Sequence, residues 1–119
     1  MALNPPSELR GVTGITEFEE SAIRAFLQGA VYAHVKDHGR EPFAARDLVG
    51  GVNFDWDGTP LLPLYEKHVN QGKTNPEAIE AAGRDVGWLL KSVLAQDKRT
   101  FVPSKAALVS HYEWVGNEP

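Results

Sequence analysis

Residues 76–114 read PEAIEAAGRDVGWLLKSVLAQDKRTFVPSKAALVSHYEW, and the fold turns on how that stretch divides. With Leu90 as reference, Ile79, Val86, Val93 and Leu94 fall within about 60° of it on a helical wheel, flanked by Leu89 and Ala82. The spacing predicts one amphipathic helix over 76–96 with this stripe buried, and Asn75 before Pro76 supplies its start signal. A second division remains open, in which Gly83 is the turn of a helix-turn-helix-like pair. Beyond Lys98 and Arg99, Thr100, Phe101, Val102 and residues 107–115 have β-type composition around Pro103, Ser104 and Lys105. A terminal hairpin over 99–115 with its turn at those three residues is expected.

Upstream, Thr16 followed three residues later by Glu19 is a capping-box spacing, and Ile23, Phe26, Leu27 and Ala30 then recur on one helix face. A first helix is expected from Thr16 to a stop at Gly39. Pro42 and Phe43 suggest a short extended piece, followed by a one- or two-turn helix over 45–49 that Gly50 and Gly51 close. Val52, Phe54 and Trp56 alternate with Asn53, Asp55 and Asp57, which allows a short strand or a loop. Thr59 before Pro60 predicts another helix through Leu61, Leu64, Tyr65 and Val69, ending near Gly72.

The chain has 119 residues at 42% apolar content, which suits a single domain over 15–119 preceded by a loose arm at 1–14. There is no cysteine, so disulfides, thiolate zinc sites and thiol nucleophiles are excluded. No secretory signal is evident at the start and no apolar run suffices for a membrane span, so a cytoplasmic protein without membrane contact is expected. The net charge of −4 argues against indiscriminate nucleic-acid binding. Residues 84–112 are nevertheless locally basic, with Arg84, Lys91, Lys98, Arg99 and Lys105 against Asp85 and Asp97.

Opposite the buried stripe of the long helix lie Ala81, Arg84, Trp88, Lys91, Ser92 and Ala95. Small residues with one indole and two cations suit the close approach of a partner, whether phosphate backbone or protein. In the order helix, Pro42–Phe43 extended piece, helix at 45–49, helix carrying GWLLKSVL at 87–94, and hairpin with Tyr112 and Trp114, the chain resembles winged helix-turn-helix domains. The resemblance covers about two thirds of the chain and implies an α+β fold of three to four helices with a small antiparallel sheet. It also implies DNA contact by Arg84, Trp88, Lys91 and Ser92 on a recognition helix, and by Lys98, Arg99 and Lys105 at the hairpin. The chain departs from the pattern at 52–73, which stands where winged domains have a short turn, and it offers no Asn or Gln between Asn75 and Gln96.

Catalytic and metal motifs are incomplete. His34 and His38 have helical chelate spacing, but Val35 stands where a metalloprotease carries glutamate, so they read as helix-terminal histidines. Asn53, Asp55, Asp57 and Gly58 open like a calcium loop whose twelfth position is Leu64, so a turn is the better account. Ser92, Ser104 and Ser110 lack a nucleophile elbow, and His111 follows Ser110 onto the opposite strand face. Gly50, Gly51, Gly83 and Gly87 have no phosphate-loop spacing and read as caps and close packing.

The expectation from sequence is a non-catalytic DNA-binding domain, dimeric, without metal or cofactor. The rival is a protein-interaction or dimerisation module on the same scaffold, with Trp88 at its interface. A metal-dependent enzyme using His34 and His38 is a third.

Overall fold

Two threonines start the two long helices. Thr16 Oγ1 accepts the Glu19 N–H at 3.0 Å while the Glu19 carboxylate accepts the Thr16 N–H at 2.8 Å, opening α1 (Glu17–His38). Thr74 and Glu77 repeat the box to open α4 (Asn75–Gln96), and the Thr74 hydrogen bonds hold the Glu77 carboxyl below its usual range. The cap thus lies one residue before the expected Asn75, whose side chain instead accepts the Tyr65 hydroxyl. The computed structural model describes Leu3 and residues 8–49, 56–106 and 109–116, with Lys105 and Ala106 described by backbone alone.

Between the long helices, α2 (Ala45–Leu48) is a single turn whose Asp47 carboxylate accepts the Ala44 N–H at 2.8 Å. Helix α3 (Leu62–Asn70) begins two residues after the expected Pro60. A start at Pro60 would put Pro63 where its N–H is needed, whereas a start at Leu62 leaves it in the first turn, where no partner is lost. Residues 59–61 make the preceding turn, with Thr59 Oγ1 donating to the Trp56 carbonyl at 2.9 Å. The expected glycine stop at 50–51 and the alternating residues 52–55 lie outside the described residues.

α4 is one unbroken helix, so Gly83 is not a turn. It packs against α1, α2 and α3, burying Ala78, Ala81, Ala82, Val86, Leu89, Leu90, Val93 and Leu94. The buried surface is wider than the predicted stripe and rotated from it: Ile79 is exposed, while Ala81 and Ser92, expected on the open side, are inside. Asp85 faces α3, where its Oδ2 receives Lys67 Nζ at 2.9 Å and His68 Nε2 at 2.8 Å. α1 contributes Ile23, Leu27 and Val31 to the core, with Phe26 partly buried beside them.

The hairpin is β1 (Phe101–Ala106) antiparallel to β2 (Val109–Trp114), which confirms an α+β fold of four helices and a two-stranded sheet among the described residues. Residues 103–105 lie within β1 and pair with Tyr112, His111 and Ser110, so they are not the turn expected there. Pro103 is tolerated in the strand because it pairs with Tyr112, whose N–H and carbonyl both turn outward to Phe43 at 2.8 and 2.9 Å. No ladder hydrogen bond is therefore asked of the proline. That outward pairing fulfils the extended piece expected at Phe43, and it stacks Phe43 edge-on to Phe101 at 6.0 Å in the core. Burial raises the Tyr112 phenol pKa, only partly offset by a hydrogen bond with Ser110.

The arm expected to be loose is anchored where it is described. Leu3 is fully buried and bridges Phe101, and Lys67 Nζ donates to the Thr13 carbonyl at 2.5 Å. An apolar side chain that can reach the core does not stay in solvent, since burying a leucine is worth roughly 1.5–3 kcal/mol.

At the junction of α4 and β1, Asp97 and Arg99 form a buried ion pair, with Nη2 to Oδ2 at 2.7 Å and Nε to Oδ1 at 2.9 Å. The Arg99 N–H and Gln28 Nε2 also donate to this carboxylate, at 2.8 Å each, and Tyr32 covers the guanidinium at 4.2 Å. Burial pushes the Asp97 carboxyl up, but the hydrogen bonds from Arg99 and Gln28 outweigh it and hold the pKa below the ordinary aspartate value. A depressed carboxyl stabilises the fold above its unfolded pKa of about 3.9, and that contribution fades as pH falls through the lower folded value. Asp97→Asn should cost about 3–5 kcal/mol in urea unfolding at pH 7, because it strands a buried guanidinium. The deficit relative to wild type should begin to shrink below about pH 4, where the unfolded carboxyl takes up a proton, and should be lost only once pH has fallen through the lower folded value.

Candidate functional site

On its open side α4 floors a groove of about 590 Å³, walled by α2 at Ala45 and Arg46 and by β2 at Val109, Ser110 and Tyr112. Two glycines one turn apart, Gly83 and Gly87, line it between Arg84, Trp88 and Lys91. A methyl group built on either glycine meets nothing within 4 Å. Close packing, the role expected from sequence, is therefore not what keeps them small. A mid-helix glycine costs roughly 0.5–1 kcal/mol relative to alanine, so the pair loosens α4 without any packing return inside the chain.

Trp88 is half-buried and has two cations against its ring, the Arg10 guanidinium at 4.8 Å and Lys91 Nζ at 5.0 Å. It is the N-terminal segment at Arg10 that reaches it. Arg84 is exposed and paired with Glu80 at 2.9 Å across one helical turn, a contact that solvent leaves weak and exchangeable. Arg46 stands exposed on the facing wall. The groove is thus apolar in its floor and cationic along its rim, with Glu80 as the single carboxylate among the described lining residues.

Of the residues predicted from sequence, Arg84, Trp88 and Lys91 converge on this groove. Ser92 and Arg99 do not: they are 8% and 3% exposed, and Arg99 has committed its guanidinium to Asp97 and Tyr32. Neither is free to meet a phosphate, and the two leave the candidate set. Lys98 is exposed at the start of the turn into β1, and the Lys105 side chain lies outside the described residues. Arg10, Arg46, Gly83 and Gly87 were missed as site residues; only the glycines carried a signal, being spaced one turn apart in an otherwise good helix-former sequence.

The two histidines of α1 make contacts within the fold. His34 Nε2 contacts the Glu41 carbonyl at 3.0 Å and stacks on Phe43, and His38 Nδ1 faces the Glu41 carboxylate at 3.2 Å. Among the described residues no three metal-ligating side chains gather, and no helix is long and apolar enough to cross a membrane. Ser110 opens onto the groove, while His111 Nδ1 contacts the Val109 carbonyl at 3.0 Å.

No family model, curated protein or solved structure matches this chain.

Gly83→Ala and Gly87→Ala should each raise unfolding free energy by about 0.5–1 kcal/mol in urea titrations. Destabilisation by either would mean that the glycine is packed and the groove closed.

Proposed function

We propose that the protein is a non-catalytic interaction module that receives a segment of another protein in the groove over Gly83 and Gly87. The observation that carries this reading is the glycine pair itself, two costly residues with open space above them inside a cationic rim. A DNA major groove is concave and receives a protruding helix, whereas the open face of α4 is recessed between α2 and β2. An inserted peptide with an apolar anchor for Trp88 and acidic flanks for Arg46, Arg84 and Lys91 complements such a surface.

On the winged-helix resemblance, α4 takes the place of the recognition helix and the β1–β2 hairpin that of the wing. The DNA reading then retains Arg84, Lys91, Lys98 and Lys105 as phosphate contacts. It predicts a mobility shift of mixed duplex DNA that weakens steeply with salt.

One experiment separates these readings. A photo-crosslinking phenylalanine analogue at position 87, irradiated in cells that make the protein natively, should yield a discrete protein adduct that the Arg84→Glu, Lys91→Glu double variant loses. A nuclease-sensitive adduct would transfer the function to DNA, and no adduct of either kind would refute both.

A further inference from the structure

One length of the β2 edge opens on the groove with its backbone groups unpaired. The N–H and C=O of one residue point to the same side of an antiparallel strand, and the next residue sends its pair to the other side. Tyr112 directs both of its groups to Phe43, at 2.8 and 2.9 Å. Ser110, two residues away in an unbroken register with β1, therefore directs both of its own the same way. In the antiparallel bridge of Phe43 to Tyr112 the place opposite Ser110 falls to Ala45, but α2 begins at Ala45 and the chain leaves the edge there. Ser110 is exposed, and among the described residues its N–H and carbonyl have no backbone partner. Ser110 and Ala45 both line the groove.

We propose that the groove takes its segment in extended form, as an acidic strand added to β2 at Ser110. This rests on the reading of the groove as a protein-binding site and specifies what enters it. Hydrogen bonding identifies the conformation. A helix spends its backbone groups on itself, so a helical occupant would close over the Ser110 N–H and carbonyl without pairing them, whereas an extended one answers both. The fold already does this once on the same edge, where Phe43 is the added residue. Alternate side chains of the added strand then face α4, where the space above Gly83 and Gly87 is open.

Charge identifies the composition. The charged side chains described along the groove are Arg46, Arg84, Lys91 and Glu80. Glu80 is paired with Arg84, and Asp47, beside Arg46 in α2, is turned back onto the Ala44 N–H at 2.8 Å. Arg46 and Lys91, one on α2 and one on α4, form no ion pair with any described residue. A strand laid between them meets both with carboxylates of its own.

The test begins with selection of binders to the full chain from a phage-displayed library of random linear peptides. Selected peptides should carry Asp or Glu together with apolar residues at alternate positions, and should weaken with salt. The Ser110 amide should exchange its hydrogen freely in the protein alone and at least about tenfold more slowly with a selected peptide bound. N-methylation along such a peptide should cost about tenfold at the residue that donates to the Ser110 carbonyl and little at that residue's neighbours, whose N–H groups point away. Ser110→Pro removes the outward N–H and asks nothing of the ladder, as Pro103 does across from Tyr112, so it should fold and weaken the peptide at least about tenfold. The exchange and N-methyl measurements read the same contact on the wild-type chain, whether or not that variant folds. No selected peptide, apolar residues spaced three and four apart, a Ser110 amide that a peptide leaves unprotected, or one already protected in the protein alone, the mark of a second copy on the edge, would overturn the proposal. Any of these beside a protein adduct at position 87 removes the extended strand and leaves the groove a protein site, whereas no adduct removes both.

Discussion

The buried pair of Asp97 and Arg99 is the constraint on which the arrangement of elements depends. It sits where α4 ends and β1 begins, and through Gln28 and Tyr32 it ties both to the middle of α1. A buried guanidinium is costly unless its charge and donors are satisfied. Only one docking of α1 presents Gln28 to the carboxylate while laying Tyr32 over the cation. The pair therefore fixes the angle at which α1 crosses the rest of the fold. It also withdraws one cation, Arg99, from the surface of the locally basic stretch.

The element order was legible because its signals are local. Thr16 with Glu19 marks a helix start within four residues, and the 76–96 periodicity outlasts any strand. What failed in the sequence reading was decided by distant contacts. α4 is enclosed by three other helices, so its burial spreads beyond one stripe, and Ser92 goes inside although its wheel position faces away from Leu90. Pro103 reads as a turn residue in isolation, yet sits in β1 because Tyr112 directs its hydrogen bonds to Phe43, some sixty residues before β1. Leu3 reads as part of a polar, proline-containing arm until β1 exists to receive it.

The candidate groove was half legible for the same reason. Arg84, Trp88 and Lys91 share one face of one helix, and periodicity alone groups them. Arg46 joins them only through tertiary packing, and Arg10 only because the N-terminal segment crosses Trp88. The glycines were visible but misread, since sequence does not distinguish a glycine that admits a neighbour within the fold from one that leaves space outside it. In α4 the atoms around Gly83 and Gly87 decide for the second.

The contacts that complete the core share one property: they join early residues to late ones. Leu3 pairs with Phe101, Gln28 with Asp97, and Phe43 with Tyr112. During synthesis, α1 can form as soon as it emerges, but its core face has little to meet until α4, which packs against it, has been made. Loop closure must precede the reward of such distant contacts, which slows folding as their sequence separation grows. The nascent chain consequently carries the apolar side of α1 uncovered until α4 follows it, and the hairpin then brings Phe101 and Tyr112 to the core those helices have begun.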